Sequence, residues 1–102
     1  IVYQIQKELP TTEILIISLY PINSMALPFS KLLVWPRKNH DINFVNQEIA
    51  KFAHESNLTF IDVASHLKDE KGNLKKEYTI EGLHLSLSGY AKITEILEPY
   101  VF

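Results

Sequence analysis

A three-layer α/β/α architecture with a parallel sheet is predicted, and only half of it is in hand. Three features carry that expectation. The run Glu13-Ile14-Leu15-Ile16-Ile17-Ser18-Leu19 is almost continuously apolar and β-branched, which fits a strand buried on both faces of a parallel sheet. A helical repeat and a second short strand, Leu58-Thr59-Phe60-Ile61-Asp62-Val63, follow it, and strand, helix, strand makes a right-handed crossover between parallel neighbours. The count ends there, at helix, strand, helix, strand, helix. Two strands leave both edges of an open sheet unpaired, so the rest of the sheet is expected from elsewhere.

The elements follow in order. Ile1, Val2, Ile5 and Leu9 repeat at helical steps until Pro10. The chain opens without Met and inside this helix, as a piece of a longer protein is expected to do. The first strand ends at Tyr20-Pro21. Residues 20–40 hold Pro21, Pro28 and Pro36 with no steady period. Long connections of this kind tend to be functional. Leu27, Phe29, Leu33 and Trp35 make it unusually apolar, suited either to lining an acyl or sugar pocket or to packing on the domain.

Asp41 is the expected cap of the next helix. Ile42, Val45, Ile49, Phe52 and Ala53 form its apolar face, and Asn57 its stop. Residues 64–79 read as a helical turn and a polar hairpin around Asp69-Glu70-Lys71-Gly72-Asn73. A last helix is capped near Ser86 and carries Tyr90, Ile93 and Leu97 inward until Pro99. No repeat or linker divides residues 1–102, which read as a portion of one domain.

Composition removes several functions. The chain has 102 residues, 46% of them hydrophobic and 22% charged, which is globular rather than disordered. Ten basic against twelve acidic residues give a net charge of -2, so no nucleic-acid partner is expected. No apolar run approaches the length of a membrane span. Zero cysteines exclude a disulfide framework, a thiolate nucleophile and a Cys-ligated metal.

The stretch that carries chemistry is Glu81-Gly82-Leu83-His84-Leu85-Ser86. Gly82 permits a tight turn with φ above zero, folding the Glu81 carboxylate back on the His84 imidazole. Such a carboxylate fixes the tautomer of a general base and supports the imidazolium. The plainer reading is a surface Glu and a His near a helix cap. His40 reads as solvated. His54 and His66 have no second ligand at metal-like spacing, and Asp62 suits a turn cap.

The Glu81-to-Ser86 block, the following Gly89-Tyr90 and the final helix resemble the last sequence block of the SGNH (GDSL-type) hydrolases, which reads Asp-x-x-His. The strand ending at Pro21, Asn46 within a helix, and Phe60-Ile61-Asp62-Val63 are also similar to that family. The resemblance implies a flavodoxin-like sheet of which this is the C-terminal half. It implies a serine esterase in which His84 is the general base and Glu81 its orienter, with no metal and no organic cofactor. Small-molecule acyl esters, carbohydrate O-acetyl or short-chain and lipid esters, are the implied substrates. Two departures stand. Glu81 occupies the family's Asp position, and no Gly-Asp-Ser or Gly-x-Asn-Asp segment is present. Nucleophile and oxyanion donors are therefore expected from a missing N-terminal half. The alternative from another class is a non-catalytic α/β interaction module in which Glu81 and His84 brace the last helix.

Overall fold

The expected crossover is present in the computed structural model, which describes residues 1–101. The order is α1 (Val2–Glu8), β1 (Leu15–Ile17), α2 (Ser30–Val34), α3 (Asn39–Glu55), β2 (Thr59–Ile61), α4 (Ala64–Leu67), a 3-10 turn (Lys76–Tyr78) and α5 (Leu87–Val101). β1 and β2 pair in parallel, with Leu15, Ile16 and Ile17 opposite Thr59, Phe60 and Ile61.

The core sits beside this sheet rather than around it. Leu67, Leu74, Leu85 and Ile93 form it, with Tyr78 and Leu97 packed against them. Leu67 and Leu74 are wholly buried, and burying such a side chain contributes roughly 1.5–3 kcal/mol.

The sheet is thinner and more open than the sequence suggests. β1 spans three residues instead of seven, and Leu15 and Ile16 are only half-buried while Ile17 is exposed. The reason is that β1 is hydrogen-bonded on one edge alone, so it lacks the second neighbour that continuous burial needs. For the same reason only Ala53 of the expected α3 face is buried; Val45 and Phe52 are exposed. α1 buries nothing. The radius of gyration, 15.2 Å, exceeds the roughly 13 Å of a compact 100-residue domain.

Several boundaries move for local reasons. The 20–40 segment holds the short α2. α3 starts at Asn39, takes in the exposed His40, and has no side-chain cap. Asp41 falls inside its first turn, where a carboxylate still favours the helix dipole. The Asn57 stop is a Schellman close. Asn57 has φ 56, its amide donates to His54 O, and the Leu58 amide donates to Ala53 O.

In α5 the inward seam is Gly89, Ile93 and Leu97, so Tyr90 is exposed rather than buried. A Cβ on Gly89 would lie 2.4 Å from Tyr78 O. That close approach sets the seam one residue earlier than expected. Pro99 does not end the helix: it sits inside α5, two residues before Val101, where it removes the one backbone bond its N–H would have made.

Two α3 asparagines position the chain leaving β1. Asn46 accepts from the Leu19 amide at 2.7 Å and donates to Leu19 O at 3.1 Å. Asn39 does the same for Ile22, at 2.8 and 2.9 Å, and also donates to Asn73 Oδ1. Seven residues apart, they share one helix face. Their amides stand in for a strand neighbour, satisfying backbone groups that β2 does not reach.

Candidate active site

The Glu81–His84 turn is closed by its own backbone before any side chain acts. The Ile80 amide donates to His84 O. Thr79 Oγ1 donates to the same carbonyl at 2.6 Å and accepts from the Gly82 amide at 2.8 Å. Thr79 and Leu85 then pair as an antiparallel bridge. Behind them, Ser86 Oγ accepts from the Gly89 amide at 3.1 Å, which caps α5 as its residue type predicts.

Within that turn the carboxylate divides its work. Glu81 Oε1 accepts the amides of His84 and Leu83, at 2.5 and 3.1 Å. Glu81 Oε2 faces His84 Nδ1 at 2.8 Å. The side chain of Glu81 is 17% exposed and that of His84 71%. The carboxylate is thus sheltered while the imidazole faces outward.

The His84 amide above all holds the Glu81 carboxyl low, at about 2 against an ordinary 4.5. Loss of surrounding water opposes this; the His84 ring and the Leu83 amide add to the lowering. With Nδ1–H donating to a carboxylate, Nε2 carries the lone pair that takes up a proton.

The long segment after β1 reaches this turn, as expected of a loop beside the site. The Asn23 amide donates to Gly82 O at 2.9 Å. Ser30, wholly buried, donates to Glu81 O at 2.5 Å and accepts from the Leu27 amide at 2.9 Å. Neither contact is legible in the sequence. Ser30 offers only a serine in an aperiodic loop, and its partner lies 51 residues away. The apolar side chains there neither pack nor enclose: Phe29, Leu33 and Trp35 are exposed, and Leu27 edges a shallow cleft with Met25 and Pro28.

Gly82 shows the expected positive φ, +104, and a Cβ there would lie 2.0 Å from Asn23 O. Gly82→Ala is therefore expected to lower stability by about 2–5 kcal/mol, from backbone strain and the collision together. Urea unfolding checks this; a loss under about 0.5 kcal/mol would show that the two loops part freely.

Asp62 is occupied as a cap, accepting from the amide and hydroxyl of Ser65. His54 and His66 lie on α3 and α4, and among the described residues no group of three or more His, Cys, Asp or Glu side chains could hold a metal. No helix among them is long and apolar enough to cross a membrane.

Comparison with solved structures gives the class: the fold is that of the SGNH (GDSL-type) hydrolases, as the Glu81-to-Ser86 block implies. The chain is similar to a protein of Streptococcus pneumonia provisionally described as a platelet activating factor. The TM-score is 0.91 at 33% identity, over 99% of this chain and 47% of that one. It is also similar in fold to a GDSL-like lipase of Bacteroides thetaiotaomicron VPI-5482, at TM-score 0.71 and 16% identity, over 97% of this chain and 48% of that one. The chain spans about half the length of each. No family model and no curated protein matches it.

Proposed function

We propose that residues 1–102 are the C-terminal half of a single SGNH-type domain and supply the His and acid of a serine ester hydrolase. The observation that carries this is the Glu81–His84 geometry: one carboxylate oxygen locked by two amides, the other 2.8 Å from Nδ1, and the ring exposed. The likeness to a GDSL-like lipase fold and the open, half-covered sheet support it.

The chemistry follows from the groups. A serine from the complementary half attacks the ester carbonyl while His84 Nε2 takes its proton. The tetrahedral oxyanion is held by donors from that same half. His84 then protonates the leaving alcohol, and water repeats the cycle on the acyl-enzyme. Glu81 stays ionised throughout, orienting the ring and stabilising its charged form. Small-molecule acyl esters are the substrates, carbohydrate O-acetyl or short-chain and lipid esters among them.

Reconstitution tests it. Residues 1–102 alone are expected to hydrolyse p-nitrophenyl acetate no faster than free imidazole at equal concentration, and to aggregate through the unpaired strand edge. The whole protein, carrying both halves, is expected to turn it over with saturation. Saturable turnover by residues 1–102 alone would refute the half-domain reading, and an inert whole protein would leave an interaction module.

A further inference from the structure

A cleft of about 320 Å³ opens against the residue next to the proposed base. Leu19, Pro21, Ile22 and Ile42 line it from the segment after β1 and the first turn of α3, and Leu83 closes it on the site side. Leu83 is bonded to Glu81 through its amide and precedes His84, so the wall of the cleft and the base are one Cα step apart, about 3.8 Å. The two asparagine clasps at Leu19 and Ile22 hold its floor in place.

The cleft carries one charged residue, Arg37. The Arg37 amide is fixed to Val34 O at 2.7 Å, while its guanidinium enters neither ion pair found among the described residues. Arg37 lies on the lining of a mostly apolar cleft that also holds Tyr20, and a guanidinium with no ion-pair partner among the described residues has a specific complement. A hydrocarbon chain fills the cleft, and an oxyanion, carboxylate or phosphate, takes the planar fork in two parallel hydrogen bonds. A neutral chain of equal length leaves the guanidinium unmatched.

We infer that this cleft is a specificity subsite in which Arg37 selects esters whose chain ends in an oxyanion. The inference rests on the ester-hydrolase reading and names a substrate class for it. Carboxylate and phosphate share the chemistry, and they differ in which side of the ester brings the charge.

The test uses the whole protein and two matched substrate pairs. On the acyl side, 4-nitrophenyl hydrogen glutarate is compared with 4-nitrophenyl pentanoate. On the alcohol side, 1-acetylglycerol 3-phosphate is compared with 1-acetylglycerol. In at least one pair the anionic member is expected to have the higher kcat/KM, and Arg37→Met to lower that anionic-to-neutral ratio by roughly 10- to 100-fold. Arg37→Lys keeps the charge without the fork and is expected to restore part of the ratio. The pair that responds identifies the side carrying the anion. A ratio unchanged by Arg37→Met in both pairs overturns the subsite, as does an equal loss on both members, which marks Arg37 as pairing with the complementary half. Should the whole protein turn over no ester at all, the hydrolase reading fails by itself. Calorimetric titration with butyl phosphate then decides the subsite: binding that Arg37→Met abolishes supports it, and binding that is absent or unaffected overturns it.

Discussion

His84→Ala in the whole protein is expected to lower kcat by roughly three powers of ten or more, with KM little changed. The size follows from the geometry. Among the described residues only His84 combines an exposed ring with a carboxylate on its other nitrogen; His40 and His54 ride on α3 and His66 on α4. In the proposed mechanism a serine deprived of this base must attack as a neutral hydroxyl, and the alcohol must leave unprotonated. The clefts at Leu27 and at Leu83 keep their walls, since His84 lines neither. Steady-state kinetics on a p-nitrophenyl ester checks this, and added imidazole is expected to restore part of the rate. Retention of kcat within about tenfold would remove His84 from the chemistry.

The legibility of this chain in its sequence was uneven, and the unevenness has physical causes. The crossover was readable because the β-branched run and the helical repeat of α3 are local patterns, and the Asn57 stop because few residues accept its φ. Lengths and burial depart from expectation wherever an element has a partner on one side alone. Ile17, Val45 and Phe52 have the composition of interior residues and an exposed position, since one strand edge and one helix face have no neighbour here. Tyr90 lies outside the seam because the α5 seam is set by a contact between Gly89 and a carbonyl eleven residues earlier. The Glu81–His84 pair was legible because three residues and a glycine fix its geometry locally. Ser30, Asn23, Asn39 and Asn46 were not, because each acts on backbone far away in sequence, and a hydroxyl or amide carries no sign of which carbonyl it will meet.

Glu81 allows a sharper test, because its two oxygens do different things. Glu81→Gln keeps an oxygen for the amides of Leu83 and His84, so the turn should hold and thermal stability change little. What it loses is the charge beside Nδ1. The amide nitrogen now points a donor at the ring, which pushes the proton to Nε2 and removes the lone pair the serine needs. A loss in kcat on the order of a thousandfold follows. Glu81→Asp keeps the charge but shortens the reach by one methylene in a turn fitted to Glu. The carboxylate cannot then meet both the amides and the ring, and a displacement near an ångström can cost about a hundredfold. His84→Ala should therefore be at least as damaging as Glu81→Gln, and both worse than Glu81→Asp. The 15N shifts of the His84 ring report the tautomer directly. The acid side carries its own check. Because the folded carboxyl is lowered to about 2, its contribution to the turn is complete above the ordinary value of 4.5 and lost only as pH falls through about 2. The 13C signal of the Glu81 carboxyl should titrate there, and activity lost at higher pH must belong to another group. A midpoint near the ordinary value would mean that the two amide bonds do not persist in solution. If Glu81→Gln and Glu81→Asp both keep nearly full kcat while His84→Ala is inactive, His84 works with the serine as a dyad and Glu81 serves only to close the turn.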